Sequence, residues 1–124
     1  MSTPTRILEL NCLVDGYDES HIFTVNISEN KTVSVLKEEI WNKTTPEFIH
    51  VPAFKLVIWR VSLPINDNLQ QILKAFEPGE DIELRRPIST LSSLFSNPKV
   101  GHLHILIQRP GECHILISPL FHLL

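Results

Sequence analysis

The chain reads as an α+β domain, a mixed sheet of four to five strands with one main helix across one face. Three observations predict it. Residues 7–14 and 21–27 alternate apolar with polar positions, and "TVSVLKEEI" carries apolar residues at helical spacing. Later, "FKLVIWRV" and "HLHILIQ" return to strand-like patterns. The order is therefore strand, strand, helix, strand, a helical and irregular excursion, and a last strand.

Each element has its own reason. Residues 7–14 place Leu8, Leu10, Cys12 and Val14 on one face of a strand. "DGYDES" (15–20) is turn chemistry, with Asp15-Gly16 able to take positive φ. In 21–27, Phe23, Val25 and Ile27 face one side and Ile22, Thr24 and Asn26 the other, so the two strands form an antiparallel hairpin. Thr32 is an N-cap for a helix over 33–43, whose apolar stripe is Val33, Leu36 and Ile40. Lys43 suits its C-terminal dipole. "TTP" (44–46) ends it, because the residue before a proline is pushed out of the α region.

The third strand is expected over Phe54–Val61, with Leu56 and Ile58 on one face and Val57, Trp59 and Val61 on the other. Pro64 and "NDN" (66–68) close it. A short helix follows at 68–76, capped by Asp67 or Asn68, with Leu69, Ile72, Leu73 and Phe76 apolar. "EPGED" (77–81) reads as a loop, "IEL" (82–84) as a short strand, and "ISTLSSLF" (88–95) as a turn of helix. The last strand, 102–108, puts Leu103, Ile105 and Ile107 on one side and His102, His104 and Leu106 on the other. A hairpin, a crossover helix on one face and a final strand beside the first make a β-grasp, or ubiquitin-like, arrangement.

Composition narrows function. At 124 residues, 43% hydrophobic and 20% charged, the chain has the makings of one globular domain with a core of its own. A net charge of −3 offers no clustered basic surface, so this domain is not expected to bind nucleic acid. No stretch reaches the roughly 18 apolar residues of a membrane span. "MSTPTRILELNCLV" carries no readable signal peptide, because Glu9 and Asn11 interrupt the apolar run. Cys12 and Cys113 are no disulfide framework, and Cys12 sits on the apolar alternation as a small core residue.

Residues 30–67, "NKTVSVLKEEIWNKTTPEFIHVPAFKLVIWRVSLPIND", resemble the N-terminal domain of Crinkler effectors in the form found in fungi. The similarity covers about residues 7–110. The "TVSVLKEEI" helix, "KLVIWRV" followed by "SLPIN", "ISTLSSLF" and the closing "HLHILIQRP" carry it, in that order. The resemblance implies a ubiquitin-like header associated with secretion and translocation. Crinklers are modular effectors of oomycetes and some fungi, delivered into host cells, many of them acting in the host nucleus. Variable C-terminal domains, some kinase-like or nuclease-like, do the work there. The oomycete delivery motif is LxLFLAK. Its place is taken here by Leu56, Val57, Ile58, Trp59, Arg60 and Val61, which keep the leucine and the aromatic and depart from the motif at Arg60-Val61. The resemblance thus implies a non-enzymatic header, secreted and host-directed, that acts in translocation to the host cell, in binding an unidentified protein partner (a host or secretory factor), or in both. The alternative is an intracellular ubiquitin-like adaptor. Residues 111–124 form an apolar tail with no assignment, able to pair with an edge strand of its own chain or of a second copy. Ending soon after Pro110, the chain looks like a header without an effector domain, a natural short form or a truncation.

Other constellations each have a bland reading. Trp59 either docks a partner on an open sheet face or is covered by residues 62–99 as ordinary core; the interior habit of large apolar residues favours the second. His102 and His104, with Cys113 and His114, would make a zinc-type ligand set, but no ligand motif spaces them, and strand alternation alone places two histidines on a solvated face. No metal and no cofactor is expected. No Gly-rich phosphate loop, HExxH or G-x-S-x-G occurs, so no catalytic residue is assigned. Three sequons, at Asn26, Asn30 and Asn42, read as chance, since Ser28 and Thr32 have turn and capping roles. Gly111 is single, unlike the Gly-Gly end of a conjugated modifier.

Overall fold

In the computed structural model, the described residues are 5–44, 48, 50–77, 79 and 82–109. They hold four strands in one mixed sheet: β1 (Ile7–Val14), β2 (Phe23–Ser28), β3 (Ile58–Pro64) and β4 (His102–Ile107), ordered β2-β1-β4-β3. β1 pairs antiparallel with β2, β4 runs parallel to β1, and β3 closes the far edge antiparallel to β4. Three helices join them: α1 (Val33–Thr44), α2 (Leu69–Ala75) and α3 (Leu91–Leu94). The expected β-grasp is therefore present, with the last strand beside the first. "IEL" contributes one bridge, Glu83 to Trp59, rather than a strand.

The apolar alternation sorts the sheet into two packed sides. On one, Leu8, Leu10, Cys12, Val14, Val25, Ile27, Ile105 and Ile107 meet Val33, Leu36 and Ile40 of α1. Those three helix residues are wholly buried, as their spacing requires. On the other side, Leu13, Leu103 and Leu106 pack against Trp59, Val61, Leu63, Leu73 and Phe76, so α2 and its flanks cover this face. Gly16 turns the chain after β1 with φ of 94°, a conformation glycine adopts without steric cost.

Helix ends explain the excursion between α2 and β4. The first amides of α1 have no partner within the helix; the Val33 and Ser34 N–H groups donate to the carbonyls of Ser89 and Pro87. In return, Leu91 and Ser92 at the start of α3 donate to the carbonyls of Lys31 and Glu29. Thr32 adds its hydroxyl as acceptor for Val35 N–H at 3.5 Å. The expected cap of α2 differs. Asn68 stands at the N-cap without a side-chain bond, and Asn66 Oδ1 instead accepts from Asn68 N–H at 2.8 Å. The helix stop at Thr45-Pro46 and the tail 111–124 lie outside the described residues.

Candidate functional site

The segment Leu56–Val61 is only partly strand. The expectation of a strand over Phe54–Val61 is corrected: Ala53–Lys55 form a 3₁₀ turn, and β3 begins at Ile58 and runs to Pro64. The turn wins because Lys55 and Leu56 donate their amides to Pro52 and Ala53, closing the chain on itself before it reaches β4. Phe54 is left 73% exposed. Pro64 does not stop the strand, because β3 is the outermost strand, where proline is tolerated.

Within Leu56–Val61 the faces divide as alternation requires. Leu56 and Ile58 are buried with the α1 side of the core, whereas Trp59 and Val61 join the α2 side. Trp59 is half-buried there among residues that include Ile65, Leu73 and Phe76, so its face is covered rather than open. The backbone is tied on both sides. Gln108 N–H donates to the Val57 carbonyl and Leu84 N–H to the Ile58 carbonyl, both at 2.9 Å. Arg60 is half-buried, and its Nη1 donates to the Leu94 carbonyl at 2.9 Å, fastening β3 to α3.

A register shift follows. Between the pairs Arg60–Ile105 and Leu63–Leu103, β3 advances three residues while β4 advances two, a bulge on β3. Here the alternation expected of the last strand fails. Leu103 packs with Leu106 on the α2 side instead of with Ile105 and Ile107.

The histidine pair is also corrected. His104 is not on a solvated face; it is 4% exposed. Its Nδ1 accepts the backbone N–H of Asn11 at 3.0 Å, and its Nε2 lies 2.7 Å from the Lys99 carbonyl. An amide can only donate and a carbonyl only accept, so the ring is the neutral tautomer carrying its proton on Nε2. Burial holds its pKa below the usual histidine range. Asn11 Nδ2 donates in turn to the His102 carbonyl at 2.8 Å. These side chains extend the β1–β4 contact just before the backbone ladder starts at Cys12–Ile105. Asn11 and His104 are each one of two polar residues in their strands, beside Glu9 in β1 and His102 in β4, so no local pattern singled them out.

His102 Nδ1 faces Ser62 Oγ at 3.2 Å and does not converge with His104 on one point. Among the described residues no three His, Cys, Asp or Glu side chains cluster to hold a metal, and Cys113 and His114 lie outside them. Cys12 is wholly buried, its Sγ bonded to the Leu10 carbonyl at 3.4 Å, and burial pushes its thiol pKa far up. It behaves as a core residue. The sequon hydroxyls do what local structure asks of them, Ser28 Oγ accepting from Asn30 N–H at 3.3 Å. Sequence reasoning missed Arg6, whose Nη2 donates to the carbonyls of Phe95 (3.3 Å) and Ser96 (2.7 Å) and pairs with Glu29 at 3.3 Å. Nothing in its local pattern signals those contacts, of which the two carbonyl bonds span some ninety residues of chain.

Comparison with known proteins fits this architecture. The family described as "Crinkler effector protein N-terminal domain" matches residues 8–108. "Crinkler effector protein 1" of Rhizophagus irregularis is 30% identical over 104 residues, which are 83% of this chain and 22% of that protein. The chain thus spans about a fifth of that relative's length. Among solved structures, the C-terminal ubiquitin-like domain of mouse tubulin-specific chaperone e superimposes with a TM-score of 0.52 at 19% identity, covering 89% of this chain and 93% of that one.

Proposed function

The chain belongs to the Crinkler effector N-terminal domain family, and on that premise we propose that it is a non-catalytic ubiquitin-like header of a secreted effector. It serves delivery into the host cell, with the nucleus as a further destination, or the binding of a protein partner on the way. The observation that carries the reading is the family match over residues 8–108, which includes the whole of β1, apart from its first residue, through β4. Two features support the absence of catalysis. Cys12 is buried with its thiol pKa raised, and both ring nitrogens of His104 are engaged in structure.

The residues proposed for delivery or docking are those of Leu56–Val61 that reach the surface. Val57, Trp59, Arg60 and Val61 are half-buried, whereas Leu56 and Ile58 belong to the core. Scrambling the whole segment would therefore unfold the domain and teach nothing about delivery. The informative variant replaces Val57, Arg60 and Val61 and keeps Leu56, Ile58 and Trp59, with circular dichroism to show the fold intact. A tagged chain carrying it should lose entry into host cells while remaining in the culture medium. Undiminished entry would reject Val57, Arg60 and Val61 as the delivery surface. Wild-type protein retained wholly inside the producing cell would favour the intracellular adaptor.

A further inference from the structure

Between β3 and the chain that follows α3 lies a cleft of about 320 Å³, within the roughly 300–1,000 Å³ of small-molecule sites. Arg60 and Lys99 line it, with the hydroxyl-bearing Ser62 and Ser96 and the apolar Phe95 and Pro98. No carboxylate is among the lining residues, although the chain carries more acids than bases. Among the described residues neither Arg60 nor Lys99 has an acidic partner. A guanidinium has five N–H donors, and among the described residues the bond to the Leu94 carbonyl is the one Arg60 makes. The remaining donors sit on a half-buried side chain at the wall of a concave site.

The wall is also held in place. Arg60 ties the Leu94 carbonyl, Arg6 ties those of Phe95 and Ser96, and His104 ties that of Lys99. Four carbonyls along one side of the cleft are thereby occupied by donors, which lowers the negative potential they present and fixes the loop before any ligand arrives. A planar fork, a point charge and hydroxyls capable of donating suit a tetrahedral oxyanion with several acceptor oxygens. Half-buried Pro98, with the edge of the largely buried Phe95 beside it, offers contact to an organic group attached to it.

We propose that this cleft is a binding site for the phosphate monoester of a small organic molecule. Phenyl phosphate, the simplest probe with both parts, should shift amide resonances of residues 60–62 and 94–99 in a saturable titration. Lys99→Gln, a substitution at an exposed position, should weaken that binding several-fold. Arg60→Gln should weaken it by about tenfold or more, and Arg60→Lys, which keeps charge and loses the fork, by an intermediate amount. Absence of a saturable shift would overturn the proposal, as would affinity unchanged in both Lys99→Gln and Arg60→Lys. Benzoate binding as tightly as phenyl phosphate would overturn the preference for phosphate. Binding to vesicles containing phosphatidic acid, with none to soluble phenyl phosphate, would overturn the small-molecule source and make the patch a lipid-headgroup contact.

Discussion

At the scale of single residues, His104 shows how a buried polar group sets a condition on the fold. Its Nδ1 must stay unprotonated to accept from Asn11, so protonation breaks a bond that links β4 to β1. Burial lowers its folded pKa, while Lys99 places its carbonyl against Nε2 and His102 adds a like charge when protonated. As pH falls below the ordinary histidine value of about 6.5, the unfolded chain takes up the proton before the folded one does, so the folded state loses stability. The loss grows until pH passes below the depressed folded value. Urea unfolding at pH 7.5 and pH 5 should show the domain less stable at the lower pH, and His104→Gln should reduce that difference. A slope identical in the variant would show that other groups govern it. The sequence marked His104 as polar within a strand, but alternation alone put it in water. Only the parallel neighbour, with Asn11 at the matching height, supplies the partner that makes burial tolerable.

At the scale of elements, the start and buried stripe of α1 were legible, though its end runs one residue further, to Thr44; the limits of β3 were not legible. The stripe Val33, Leu36 and Ile40 recurs at helical spacing, and the same three residues lie buried against the sheet. Leu36→Ala removes a wholly buried side chain, and thermal or urea unfolding should register a loss of about 2–5 kcal/mol, the range for such cavities. A cost below about 1 kcal/mol would mean that the site refills and that the stripe matters less than its burial implies. The limits of β3 depend instead on competition between hydrogen bonds. Phe54, Val57, Ile58 and Trp59 are strand formers, yet Phe54 lies with Ala53 and Lys55 in a 3₁₀ turn. At its other end a bulge carries the strand on to Pro64. Neither event leaves a local mark, because turn and strand differ there by which amide finds which carbonyl.

At the scale of the whole molecule, one sheet holds two packed sides together, and each side contains one of the chain's two tryptophans. Trp41 flanks the α1 side, its Nε1 donating to the carbonyls of Phe48 (3.0 Å) and Val51 (2.7 Å), and Trp59 lies on the α2 side. Because both sides share the central strands β1 and β4, they should melt as one cooperative unit. In Trp41→Phe and in Trp59→Phe, the fluorescence midpoint should coincide with the midpoint from far-UV circular dichroism of the same variant. Separate midpoints would reveal an α2 side that detaches first. The β-grasp order, the crossover helix and the inward set of β1 were determined by the sequence alone, since periodicity is a local property written into neighbouring residues. The bulge of β3, the burial of His104 and the cleft beside Arg60 were decided only in the tertiary structure. Each depends on groups brought together from distant parts of the chain, and no local pattern encodes which of them will meet.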